Sequence, residues 1–215
     1  MTNHKAGGLC IHPQRKVLKA LADTMPPKLV LWKEQTHIDD CAPLEDQGEV
    51  NACACYAVGA SLQAALWRKN GYPVDILELN LYEWANANDG IPGPHEGTTL
   101  EAAVQAAVEM GYAKGYFTSE VNTIDEFKWA VGQCRGCICG LNVTDKWNQV
   151  GVNGIIPDGG SPIGGHGLWY PTYKIEGPVC ANSWGLKWAI NGFGQTSWDE
   201  FKREFIYELA VEWVL

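Results

Sequence analysis

The sequence predicts an α+β protein built from two unlike lobes. Apolar residues recur at helical spacing through the first half of the chain, whereas after Cys134 the segments become short runs of branched and aromatic residues. Bulk composition agrees. The 215 residues, 46% hydrophobic with ten tryptophans, describe an ordered chain long enough for one large domain or two small lobes sharing an interface.

The segment up to Lys33 carries Lys5, Arg15, Lys16, Lys19, Lys28 and Lys33 against only Asp23. It reads as a solvated arm, with one short helix from Pro13 to Thr24 on the stripe of Val17, Leu18 and Leu21, and as a route of association with a larger assembly. It has neither the apolar stretch nor the small-residue cleavage site of a signal peptide, which suggests a cytoplasmic or virion-associated protein.

A first long helix is expected from about Cys53, capped by Asn51 and stopped by Lys69-Asn70-Gly71. Cys55, Val58, Leu62 and Leu66 form its core stripe, and Ala57, Ala60 and Ala64 a second stripe of small residues. "TTLEAAVQAAVEMG" (98–111) predicts a helix with a Thr98–Glu101 capping box, and "TIDEFKWAVG" (123–132) one with a Thr123–Glu126 box. "CICGLNV", "HGLWYPTY", "PVCANSWG" and "IYELAVEWVL" predict strands. The glycine- and proline-rich stretch 151–165 between them reads as a functional loop.

Several classes are excluded. A net charge of −9 argues against a nucleic-acid groove, and no apolar run reaches the roughly 18–20 residues of a membrane span. Without a secretory signal the eight cysteines read as reduced thiols. The cluster "CRGCIC" (134–139) is followed by no second ligand pair at ribbon or finger spacing, so no metal site is expected there. Cys55, Cys139 and Cys180 read as structural, with Cys10, Cys41, Cys134 and Cys137 unassigned. His4, His12, His37 and His95 read as solvated loop residues.

Chemistry concentrates in three stretches. A cysteine at a helix N-terminus feels partial positive charge, which favours the thiolate. Cys53 holds that position; Cys55 lies about 200° further round the helix, on the apolar stripe. A reactive thiolate also needs an imidazole and a group that orients it. His166 stands where the glycine-rich loop becomes an apolar strand, and Asn182 ends the next strand, sixteen residues on. That interval suits neighbouring strands, so the Asn182 amide is expected to hold the His166 ring. Trp184 is placed to cover that bond, and Gln47 to offer an amide N–H to an oxyanion beside the Cys53 backbone N–H.

These segments together resemble the papain-like (C1-type) cysteine peptidases. The likeness lies in "DQGEVNACACYA" (46–57), "GGHGLWYPTY" (164–173) and "NSWGLKWAINGFG" (182–194), with "MPPKLVLWKE" (25–34) similar to the start of the family's mature domain. It implies a papain-like two-lobe fold: an arm over 1–24, a mainly helical lobe over 25–112 carrying the nucleophile, and a mainly β, barrel-like antiparallel lobe over 113–215 carrying His and Asn. The cleft between the lobes would hold the site. By the same resemblance Cys53 is the nucleophile, His166 the general base and acid, Asn182 the orienting amide and Gln47 the oxyanion donor. Gly97, in "HEGTT", matches the glycine segment that pairs with an extended peptide substrate, and Trp184 the shielding indole that lines the substrate-binding cleft.

The departures are specific. Asn51-Ala52-Cys53-Ala54 replaces the usual Gly-Ser-Cys-Trp, Val50 replaces a cysteine, and the interval from Cys53 to His166 is 113 residues, shorter than the roughly 130–150 of lysosomal relatives. The segment before residue 25 is also too short for the usual inhibitory pro-segment. A compact bacterial or phage-like branch is the expectation. The reaction implied is hydrolysis of a peptide or isopeptide bond in a peptide or protein substrate, through a thioester and with no cofactor. Two other readings stand beside it: a catalytically silent structural or binding module, for example of a viral particle, and an amidase cutting peptidoglycan cross-links.

Overall fold

The computed structural model describes residues 6, 8–10, 34–119 and 124–213. The helix expected over Pro13–Thr24 and most of the segment 25–34 lie outside the described residues. Three helices come first. The longest, α1 (Cys53–Asn70), ends where Gly71 turns left-handed at φ 76°. It is followed by α2 (Glu78–Asn88) and α3 (Leu100–Glu109).

Among the described residues seven strands build one antiparallel sheet: β1 (Gln35–Thr36), β2 (Ala113–Ser119), β3 (Cys137–Thr144), β4 (Pro162–Tyr173), β5 (Pro178–Ala181), β6 (Phe193–Gln195) and β7 (Phe205–Trp213). The order is β2-β7-β3-β4-β5-β6, with the short β1 also pairing to β4, so the sheet is not closed. Between strands lie α4 (Ile124–Cys134) and α5 (Trp198–Glu204). The α+β two-lobe fold expected from the sequence is the fold observed, and its sheet is not closed.

Strand alternation divides the core. Ile138, Trp169, Tyr207 and Leu209 face the helical lobe and pack with Cys55, Val58, Leu62, Leu100 and Val104. Their strand neighbours Cys137, Cys139, Leu141, Leu168 and Tyr170 face the other way, against Phe127 and Ala130 of α4 and Phe201 of α5. Phe127 makes edge-on contacts with Tyr170, Tyr173, Trp198 and Phe201, at centroid distances of 4.9–6.5 Å.

Two helix caps differ from expectation. Asn51 does not cap α1; its amide donates to the Glu96 carboxylate, and Ala52 takes the cap position with no side-chain bond. Thr99, not Thr98, caps α3 by accepting from the Ala102 N–H at 3.0 Å. Thr98 is committed elsewhere, donating its hydroxyl to Asp89 at 3.0 Å. The 151–165 stretch is tied down at several points: Gly159 N–H donates to Glu200, Ser161 N–H to Asp145, and Thr144 Oγ1 to the Gly159 carbonyl. α2, α5, β2 and β6 were not read from the sequence, where short or mixed patterns carried no clear period.

Candidate active site

Cys53 is the first residue of α1 and is fully buried. Because no side chain caps that terminus, the first-turn amides point toward the thiol, and both its own N–H and that of Ala54 act on it. A third amide comes from the other lobe: Gly167 of β4 donates its N–H to Cys53 Sγ at 3.3 Å. Burial nonetheless dominates and pushes the thiol up to about 11, against the lowering effect of those amides. Cys55 is also pushed well above the usual thiol value, by burial and then by Cys53 and Glu78. It belongs to the apolar core, as its stripe predicted.

His166 precedes Gly167 on β4 and is also fully buried. Its Nε2 donates to Asn182 Oδ1 at 2.8 Å, the one sense the acceptor oxygen allows. Asn182 follows β5, which pairs with β4, so two adjacent strands deliver the two side chains. The Trp184 indole lies over the imidazole at 5.0 Å between centroids. Trp147 and Trp188 pack on Trp184 edge-on and stack on each other at 5.9 Å, which backs the indole with a dry aromatic wall.

Gln47 reaches the same end of the cleft by a route the spacing did not reveal. Its backbone N–H donates to the Ser183 carbonyl at 2.9 Å, and its Oε1 accepts from the Ser183 hydroxyl. Its Nε2 donates to the Val50 carbonyl at 2.8 Å, so the loop before α1 is strapped to the Asn182–Trp184 turn. Ser183 is thus a site residue that sequence reasoning missed.

Gly97 stands at φ 91°, and a Cβ there would lie 2.2 Å from the Gly8 carbonyl oxygen. Its own polar groups are taken, the N–H by Tyr82 Oη at 3.2 Å and the carbonyl by Asn86 Nδ2 at 2.6 Å. The edge it makes room for is that of Thr98. The Thr98 N–H donates to the Gly8 carbonyl at 3.0 Å, and the Thr98 carbonyl accepts from the Cys10 N–H at 2.9 Å. Asp89 braces this edge, accepting from Thr98 and lying 2.9 Å from His95 Nε2. His95 is therefore not a solvated loop residue; nor is His37, whose Nε2 lies 3.1 Å from the Val131 carbonyl.

Residues 8–10 accordingly do not form a solvated arm. Leu9 pairs in parallel with Thr98 and donates its N–H to the Gly165 carbonyl, so the segment crosses the cleft from the helical lobe to the strand bearing His166. Its side chain lies against Gly140 and Gly165, glycines that leave the space it fills. A thiolate at Cys10 would raise the Cys53 thiol further. Nothing in a lone leucine within a basic stretch signals this.

A buried thiol begins a helix beside the strand that bears His166, whose ring the Asn182 amide holds; this arrangement sits on a papain-like fold. No family model matches the chain. It is 26% identical over 203 residues to the oryzain gamma chain of Oryza sativa subsp. japonica, covering 78% of this chain and 54% of that one. It is 21% identical over 220 residues to cathepsin R of Mus musculus, covering 86% and 65%. The chain thus spans about half to two thirds of the length of these relatives. Among solved structures it is similar to xylellain, a cysteine protease from Xylella fastidiosa, with a TM-score of 0.73, 14% identity and coverage of 100% and 99%. Sequence relatives and structural likeness together point to the papain-like (C1-type) cysteine peptidase family.

Proposed function

We propose that this chain is a papain-like cysteine peptidase that hydrolyses amide bonds of extended peptides. One observation carries the substrate class: an extended peptide, Gly8–Cys10, already lies in the cleft, paired by its backbone to Thr98 and Gly165 beside Cys53. Backbone pairing of this kind recognises a polypeptide irrespective of sequence. It favours a peptide over a cell-wall fragment.

In the proposed reaction the Cys53 thiolate attacks the substrate carbonyl carbon, paired with His166 protonated at Nδ1 and Nε2. The Cys53 N–H and the second Nε2 hydrogen of Gln47 receive the oxyanion. His166 delivers its Nδ1 proton to the leaving amine as the C–N bond breaks, leaving a thioester on Cys53. The neutral imidazole then takes a proton from water, whose hydroxide breaks the thioester and releases the acid and the thiol. Asn182 holds the ring through Nε2 throughout, and Trp184 keeps water from that bond.

The raised thiol of Cys53 belongs to the closed arrangement. With residues 8–10 paired to Thr98 and Gly165, burial favours the protonated Cys53 thiol; withdrawal of the segment would admit both water and substrate. The resting protein is latent on this reading, and not a silent module. A peptidyl epoxide at neutral pH, with the labelled cysteine mapped by mass spectrometry, tests it. Labelling that is slow in the latent protein, confined to Cys53 and abolished in His166→Ala is the expected result. Equal labelling of several cysteines, unaffected by His166→Ala, would refute it.

A further inference from the structure

On the face of the sheet turned away from the helical lobe lies a second group of sulfur and carboxylate donors, which the proposed reaction does not use. Cys137 and Cys139 project from the same side of β3, and Glu208 of β7 is the cross-strand partner of Cys139. All three are buried, Glu208 to 1% exposure. Cys137 Sγ lies 3.8 Å from Cys139 Sγ and 3.3 Å from Glu208 Oε2. The three donor atoms fall within 4.8 Å of one another.

Those separations match ligands of a single ion. Thiolates at about 2.3 Å and a carboxylate oxygen at about 2.1 Å from a tetrahedral Zn²⁺ stand about 3.8 Å (S to S) and about 3.6 Å (S to O) apart. A second, independent observation concerns Glu208 itself. Its Oε1 has no hydrogen-bond partner among the described residues, and the charge acting on the group is that of Glu126, of the same sign. A buried carboxyl oxygen with no partner is costly and calls for an occupant. Tyr170, the cross-strand partner of Cys137, adds a buried hydroxyl that likewise has no hydrogen-bond partner among the described residues.

We propose that Cys137, Cys139 and Glu208 bind one thiophilic divalent cation, Zn²⁺ being the best fit to a donor set of two thiolates and one carboxylate. Binding displaces the protons of both thiols and of the carboxyl group, and the ion clamps β7 to β3 at the centre of the sheet. The site is structural, because the three ligands are enclosed and none faces the cleft. Sequence spacing concealed it. "CRGCIC" supplies two sulfurs one residue apart, but the carboxylate arrives 71 residues after Cys137.

The test uses the full chain carrying Cys53→Ala, so that the cleft thiol contributes no ligand. Cd²⁺ is titrated into chelator-treated protein while the ultraviolet thiolate-to-cadmium band is followed, and bound zinc in untreated protein is measured by mass spectrometry. One equivalent of Cd²⁺ should saturate the band, with the band lost in Cys139→Ser and affinity at least tenfold weaker in Glu208→Gln. A band absent from the parent protein, or unchanged in Cys139→Ser, would overturn the proposal. If Cys139→Ser does not fold, the nearly isosteric Glu208→Gln decides alone: unchanged Cd²⁺ affinity overturns it.

Discussion

Gly167 donates its backbone N–H to the Cys53 thiol across 3.3 Å, a bond that ties the strand bearing His166 to the start of α1. The approach depends on the missing side chain. A Cβ on Gly167 would stand 2.9 Å from Ala54 Cα and 3.1 Å from both Ala54 N and Leu100 Cδ2. Two of those atoms are backbone and cannot yield without moving α1. Gly167→Ala should therefore cost about 1–3 kcal/mol, the range for forcing an extra carbon into a packed interior. A lower urea midpoint at unchanged slope would show it. Gly165→Ala is the contrast, since a Cβ there meets mainly Leu9, at 3.0–3.3 Å, and the segment crossing the cleft can shift. Equal losses in the two variants would contradict this account.

Asn182 is expected to act through His166. Removing its Oδ1 in Asn182→Ala deletes a 2.8 Å bond to the ring. Such a bond to a charged imidazolium is worth about 1.5–3 kcal/mol, so epoxide labelling of Cys53 should slow by about one to two orders of magnitude. Asn182→Gln, which keeps an amide, should fall between. A labelling rate unchanged in Asn182→Ala would remove Asn182 from the mechanism.

The segment crossing the cleft predicts a gain of reactivity on loosening. Leu9 is buried against Gly140 and Gly165, and an aspartate there would have to bury a carboxylate in a space shaped for an apolar side chain. In Leu9→Asp the segment should leave the cleft, water should reach Cys53, and its thiol should drop from about 11. Alkylation at Cys53, read peptide by peptide, should accelerate at least tenfold. Parent-like kinetics would mean that residues 8–10 do not control access.

Stability should fall as pH rises from 5 to 8. Burial, chiefly, raises Glu78 from 4.5 to about 8, and it raises Glu204 from 4.5 to about 7. Above pH 4.5 the unfolded chain ionises these carboxyls while the folded chain keeps them protonated. Their contribution is therefore full below 4.5 and is lost as pH climbs through the folded values. Melting temperature measured across that window should decline, and Glu78→Gln should flatten the decline. A slope that Glu78→Gln leaves untouched would assign the effect elsewhere.

The sequence alone determined the two-lobe fold class, the long helix that begins at Cys53 and stops at Gly71, the strand carrying His166 and the strand that Asn182 follows, and the core position of Cys55. Such features are local. A glycine stop, a 3.6-residue stripe and a sixteen-residue hairpin interval are each set by backbone geometry within a few turns of chain. The pairings that complete the site span much longer intervals, and only tertiary structure decided them. Asn51 left the helix cap for Glu96; Gln47 tied itself to Ser183; Leu9 closed on Thr98 and Gly165; Glu208 came to lie against Cys137. In each case a polar group or a leucine whose local sequence offered it an exposed position found a partner only when the lobes and strands packed. For the buried polar groups among them, Gln47 and Glu208, desolvation made a partner necessary.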